Sequence, residues 1–332
     1  MNTRYFDIRR LTLVALLSST FSLYAQHYPV GSEGIKAGSL PSPGFTVEDD
    51  NSFYFANRFL GYLGTLDSSR SSFSGFSYIQ TPRITWISNW KILGADFGAE
   101  VRIPIEYKKS TYSFLTGQGV NASKLNNVSE ICGLTDMEIQ PVLLAWHLNQ
   151  FDVSMGYSFW APTGDYNSSQ FYFDNLGQGY WTHSFMLGGT WYPDSEKSWS
   201  ISILNHFDIN TEQHKTLIYP QLGPPSTKID SISDNSTLGD IYTLEGAISK
   251  TIKNVDFGLT GYFQQQVTDT KDPTFLGPTF GKERIHVAGI GPEIGLSLPN
   301  SQWFVSLRYA YEFSAMDHPQ GNLITLAIKK SF

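Results

Sequence analysis

The chain has 332 residues, 23 Lys+Arg against 30 Asp+Glu for a net charge of −7, 15% aromatic residues and a single cysteine, Cys132. The acidic balance argues against nucleic acid as a partner, and one cysteine excludes both a disulfide framework and a cysteine-based zinc site. After the first 25 residues no apolar run reaches the roughly 18–20 residues of a membrane-spanning helix, whereas the alternating strands of a membrane barrel average out to a polar composition.

At the start of the chain, Arg4, Arg9 and Arg10 precede the apolar stretch Leu11 to Tyr24, and Ala25 follows as a small residue. This is the pattern of a secretory signal peptide over residues 1–25; a retained anchor would need a longer apolar run. Residues 26–44 are rich in Gly, Pro and Ser. Two readings fit them: a plug tucked into a lumen with Glu33 and Lys36 paired to wall charges, or a disordered tail.

From residue 45 to 332 the dominant signal is period-two alternation, the mark of strands with unlike faces. Strands are expected at Phe45–Phe59 and Tyr78–Ile87, and then, with the clearest alternation, at Leu93–Tyr107. There Leu93, Phe97, Val101, Ile103, Ile105 and Tyr107 share one face, and Asp96, Glu100, Arg102 and Glu106 share the other. Further strands are expected at Leu134–Trp146, Phe151–Phe159, Tyr180–Tyr192, Trp199–Ile209, Ile241–Ile252, Val255–Gln264, Ile285–Leu296, Trp303–Phe313 and Leu323–Phe332. The longest of them exceed the five or six residues usual in soluble sheets and suit the ~9–11 residues of a tilted transmembrane strand. Twelve such strands predict an all-β fold, a transmembrane antiparallel up-and-down barrel over 45–332. Pro82, Pro104, Pro141 and Pro292 fall inside expected strands and predict bulges or strand ends there.

The connections alternate in length. Short ones are expected at Ser88–Lys91, His147–Gln150, Pro193–Lys197, Lys253–Asn254 and Pro299–Gln302. Long ones are expected at Gly61–Phe76, Lys108–Gly133, Pro162–Gly179, Thr211–Gly239, Asp269–Glu283 and Ser314–Gly321. Short periplasmic turns and long extracellular loops alternate in this way in outer-membrane barrels, and an even strand count then places both termini in the periplasm. Trp86, Trp90, Trp146, Trp191, Trp199 and Trp303 fall beside short turns, as aromatic girdles do. Phe332 ends an alternating last strand and is the expected contact with the barrel-insertion machinery.

Several segments carry a family resemblance: His27-Tyr-Pro-Val-Gly-Ser-Glu-Gly-Ile-Lys36, Ser39-Leu-Pro-Ser-Pro-Gly44, Gln140-Pro-Val-Leu-Leu-Ala-Trp-His147 and Phe159-Trp-Ala-Pro-Thr-Gly-Asp165. Asn175-Leu-Gly-Gln-Gly-Tyr-Trp-Thr182, Gln265-Gln-Val-Thr-Asp269 and Gly291-Pro-Glu293 belong to the same set. Together they resemble the meta-pathway phenol-degradation family of outer-membrane β-barrel transporters. The resemblance implies a membrane barrel and a role in taking up aromatic or other small hydrophobic compounds, and it brings no established binding or catalytic residue.

The expected lumen-facing charges are Asp96, Glu100, Arg102, Glu106, Asp136, Glu138, Asp152, Asp208, Glu245, Asp256, Arg308 and Glu312. One reading is an acidic pore lining that disfavours anions; the other is an interior network of ion pairs and hydrogen bonds. His183 and Ser184 are adjacent, so they point to opposite faces of a strand and cannot act as base and nucleophile. No metal-ligand spacing among the histidines and no phosphate-binding loop is present, so no cofactor is expected and an enzyme is disfavoured. The expectation is a channel in the outer membrane, in contact with its lipid, for passive uptake of small hydrophobic or aromatic solutes. The alternative is a structural or adhesive barrel with a closed lumen.

Overall fold

Along the segment Trp199–Asn210, Ile201, Ile203, Phe207 and Ile209 lie exposed, while Ser200, Ser202, His206 and Asp208 on the opposite face are each 2% exposed. That is a soluble strand turned inside out, with apolar groups outward and polar groups inward, the arrangement a strand needs when lipid is outside and a polar lumen inside. The computed structural model describes residues 27–61, 70–116, 123–167, 175–219, 230–271, 284–299 and 301–332. The expected signal peptide and Gln26 lie outside the described residues.

The chain forms β1 (Gly44–Leu60), β2 (Arg70–Ile92), β3 (Ala95–Arg102), β4 (Ile105–Thr116), β5 (Ser123–Leu134), β6 (Met137–His147), β7 (Phe151–Ala161) and β8 (Thr182–Trp191). There follow β9 (Trp199–Asn210), β10 (Gln213–Tyr219), β11 (Asp230–Ser236), β12 (Ile241–Ile252), β13 (Val255–Gln266), β14 (His286–Leu298), β15 (Trp303–Met316) and β16 (His318–Ser331). Twelve of these, β1 to β3, β6 to β9 and β12 to β16, make a closed antiparallel barrel, because β1 pairs with β2 on one side and with β16 on the other. Closure satisfies every strand edge, which lipid cannot do. All twelve overlap strands expected from the alternation, but the expected strand Leu93–Tyr107 is divided between β3, Ala95–Arg102, and the start of β4, Ile105–Thr116.

The remaining four strands correct the expected loops. β2 pairs with β3 over Arg83–Ile92 but with β4 over Arg70–Gln80, and β4 pairs with β5 along its whole length. With 23 residues β2 runs roughly 75 Å along its own axis, far beyond an apolar band of about 25 Å. Of the segments expected as the loops Gly61–Phe76 and Lys108–Gly133, the described residues 70–76, 108–116 and 123–133 therefore belong to a three-stranded sheet standing beyond the barrel. Likewise the Thr211–Gly239 connection contains the hairpin β10–β11. The turn expected at Ser88–Lys91 is a register shift, and the chain reverses at Leu93–Gly94, both with positive φ. Ser314–Gly321 is a tight reversal at Asp317 (φ 48°) rather than a long loop.

The prolines sit where the ladder is already interrupted. Pro82 marks the point at which β2 changes partner from β4 to β3, and Pro104 the break between β3 and β4. The freed groups are satisfied across the break: Ile103 N–H donates to Pro82 O at 3.1 Å and Thr135 N–H to Pro104 O at 3.0 Å. Pro141 lies in a register shift of β6 against β7, and Pro292 in a gap of the β14–β15 pairing. A missing N–H costs nothing where no partner is offered.

Candidate functional site in the barrel lumen

Residues 27–43 run through the lumen from one end to the other, and β6 and β7 act as a ruler along it. At the long-loop end, His27 Nε2 lies 2.7 Å from Asp136, the residue before β6, and its ring stacks on Trp160 near the end of β7. At the short-turn end, the Ser39 hydroxyl donates to Asp152 at the start of β7 (2.9 Å). The chain then joins β1, whose Phe45 O accepts from Phe332 N–H. Among the described residues, His27 thus lies at the long-loop end of the barrel and Phe332 at the short-turn end.

Polar contacts hold this segment in both directions. Its backbone donates to wall carboxylates: Gly31 and Glu33 N–H to Glu245 (2.9 Å each), and Ile35 N–H to Glu293 (2.8 Å). Its own carboxylate, Glu33, receives Arg83 at 2.8 Å and Arg102 at 2.9 Å, and Arg308 donates to Ser32 O at 2.9 Å. Lys36, expected to pair with the wall, makes no ion pair among the described residues. Apolar contacts add to these. Ala37 and Leu40 pack on Ile87, Leu143, Met186 and Leu204, and Val30 on Tyr262, Val287 and Ala310. The path is tight at Gly38, where a Cβ would lie 2.4 Å from the backbone of Gly189; only glycine lets two backbones approach this closely.

The expected lumen charges fall inside. Asp96, Glu100, Arg102, Asp136, Glu138, Asp152, Glu245, Arg308 and Glu312 are all buried, as are Asp208 and Asp256. Glu100, Arg102 and Glu138 form one cluster, with Arg102 Nε 2.7 Å from Glu100 and 3.2 Å from Glu138. Arg308 pairs with Glu293 (3.5 Å) and Lys91 with Asp96 (2.5 Å). The others take neutral donors: Asp136 accepts Gly164 and Gln178 N–H, Asp256 accepts Thr251, and Glu312 accepts Tyr54, Tyr262 and Gly321 N–H. Asp152 also accepts Tyr192 OH at 2.6 Å. Glu106 stands apart, on β4 beyond the barrel, accepting Ser77 at 2.7 Å. The carboxylates therefore do not form a bare ring of one sign, since Arg83, Arg102 and Arg308 lie among them.

Alternation in weaker strands could have revealed the charges that sequence reasoning passed over. Glu48 and Asp50 face inward opposite the exposed Phe45 and Val47, and Glu293 lies between the exposed Ile290 and Ile294. Arg83 lies 3.1 Å from Glu48 and 3.3 Å from Asp50 and so links β1 to the Arg102 cluster. Ser184, His206 and Asp208 also meet in the lumen, but the Ser184 hydroxyl donates to Asp208 (2.5 Å) and only approaches His206 (3.4 Å). A nucleophile needs its base where this carboxylate stands.

The family described as "Putative MetA-pathway of phenol degradation" matches residues 60–328. The chain belongs to this family. Among solved structures, this member of the phenol-degradation family superposes on the COG4313 outer membrane channel from Pseudomonas putida F1 with a TM-score of 0.63 at 11% identity, over 92% of this chain and 100% of that one. The β domain of the Bordetella autotransporter BrkA gives 0.47 at 10% identity over 88% and 100%. The TodX deltaS2S3 mutant, a monoaromatic hydrocarbon channel, gives 0.45 at 9% identity over 95% and 97%. At such identity the first likeness speaks for the barrel fold alone. No curated protein matches the sequence.

Proposed function

We propose that this chain is an outer-membrane channel for passive uptake of small hydrophobic or aromatic solutes, with residues 27–43 as the plug of its lumen. The observation that carries the reading is a continuous segment crossing the whole barrel and held mainly by polar contacts, which water can replace. Twelve strands support a narrow passage, between eight-stranded barrels filled by side chains and the open channels of sixteen to eighteen strands. The family membership and the channel among the similar solved structures agree with it. In this reading the long loops collect the solute, the plug region selects it and the lumen conducts it without energy input.

The test is single-channel conductance of the refolded protein in a planar bilayer, together with entry of labelled phenol into proteoliposomes. Small, flickering openings and solute entry are expected, and deletion of residues 27–43 should raise the conductance. A folded protein that is silent and passes no solute, with or without the segment, would replace this reading by a closed structural barrel.

A further inference from the structure

Beside the lumenal segment lies a cavity of about 100 Å³, bounded by residues 32–41 on one side and by wall strands on the other. Five cationic side chains line it, among them Lys36, Arg83 and Arg308, against four carboxylates, Glu33, Glu48, Glu100 and Glu293. Positive charge thus leads in this cavity, in a chain whose net charge is −7.

Three of its cationic groups have unused donors. Lys36 has no ion-pair partner among the described residues. Arg83 and Arg308 are 6% and 5% exposed, and Nε of each has no hydrogen-bond partner among the described residues. A buried guanidinium N–H without an acceptor is costly, but Nε of Arg83 and of Arg308 is closed off from the cavity as it stands, so the Lys36 ammonium is the donor that an incoming acceptor meets first. The rest of the lining shows what else that acceptor carries. Phe304, Met186 and Leu204 border the same space and offer apolar contact to a small hydrocarbon body. Glu33 shows the mode of capture, with one carboxylate oxygen bridging Arg83 and Arg102 at 2.8 and 2.9 Å.

We propose that this cavity is a binding site for a small organic acid, whose carboxylate is taken by Lys36, Arg83 and Arg308 and whose apolar part lies against Phe304 and Leu204. An inorganic anion would leave the apolar lining unused, and a neutral aromatic would leave the donors unpaired. An apolar cavity of about 150 Å³ binds benzene, so at about 100 Å³ this lining has to give way for the ring of an aromatic acid, while a short-chain acid fits it as it stands. The site deepens the channel reading by giving it a stopping-place and a solute class, and it runs against the reading of an acidic pore lining that disfavours anions.

Isothermal titration calorimetry of the full-length protein in detergent tests the site with benzoate, benzyl alcohol, benzylamine and sulfate. Saturable binding of benzoate is expected, at least about tenfold tighter than the other three, the ratio that one charge-assisted hydrogen bond supplies. Lys36→Gln should weaken benzoate about tenfold, and Phe304→Ala should weaken benzoate while leaving acetate unchanged. Equal affinity for benzyl alcohol or sulfate in the unmodified protein overturns the proposal, as does benzoate binding that Lys36→Gln leaves intact. Binding is read without conduction. A protein that conducts but ignores benzoate refutes this site alone, and one that binds benzoate but neither conducts nor transports refutes the channel alone.

Discussion

Glu33 of the lumenal segment and Arg83 of β2 meet at 2.8 Å inside the barrel, and Arg102 reaches the same carboxylate oxygen at 2.9 Å. Removing one partner of a buried pair leaves uncompensated charge, a cost of about 3–5 kcal/mol. Most of that cost falls on the docked segment, because the wall arginines keep Glu48, Asp50 and Glu100. Glu33→Gln is expected to raise the open probability of the channel without unfolding the barrel. Current traces indistinguishable from those of the unmodified protein would mean that Glu33 does not hold the segment.

Gly38 faces the backbone of Gly189 at a distance that admits no Cβ. Gly38→Ala forces one of the two chains to move, and overpacking of this kind costs about 1–3 kcal/mol. The barrel hydrogen bonds do not depend on Gly38, so the segment should yield first. Limited proteolysis is expected to cut within residues 27–43 of the variant and to spare the unmodified protein, with the same heat-modifiable gel mobility for both.

Asp194, in the turn between β8 and β9, accepts the Ser198 hydroxyl at 2.6 Å, Trp199 N–H at 2.8 Å and Ser198 N–H at 3.0 Å. Foremost the Ser198 hydroxyl, then the Trp199 and Ser198 amides, hold its carboxyl down at about 2. A depressed acid stabilises the fold above its ordinary value near 3.8 and loses that contribution as pH falls toward 2. Asp194→Ala should therefore lower the denaturant midpoint at pH 7, and the gap to the unmodified protein should close below pH 3. A gap that persists unchanged at pH 2 would show that the turn depends on packing instead.

Leu259, half-way along β13, is 48% exposed on the outer face, while its neighbour Thr260 is buried on the lumenal side. Arginine on the lipid face near the bilayer midplane costs about 2–4 kcal/mol. Leu259→Arg is expected to lose that much in reversible folding into phospholipid vesicles, and Leu259→Phe almost nothing. Equal stability of both variants would put this face against protein or water.

The barrel was legible because lipid and lumen impose opposite demands on successive residues. Ile241–Ile252 shows this in its simplest form, with Ile248 outward and Glu245 and Ser249 inward. Beyond the bilayer that constraint lapses. β4 and β5 are strands by pairing and carry no apolar stripe, so Lys108–Gly133 reads as a loop. Among the lumenal residues, Asp96, Glu100 and Arg102 announced themselves through a long regular alternation in the sequence, although β3 itself has only eight residues, whereas Arg83 was hidden beside Pro82 in a strand with a broken partner ladder. The depth to which residues 27–43 penetrate had no local signal. Glycine and proline mark irregular chain, and only the wall residues that receive it decide where it lies.

The course of that segment also bears on how the molecule is made. Its far end, His27, is anchored at Asp136 beside β6, yet its near end feeds β1, which joins β16 to complete the ring. A ring already sealed would have to admit the chain before Gly38 past the backbone of Gly189, where no Cβ has room. Threading is avoided if residues 27–43 settle against β6 to β8 while the seam between β1 and β16 is still open. The last event of folding is then the fastening of a wall around a segment that is already inside it.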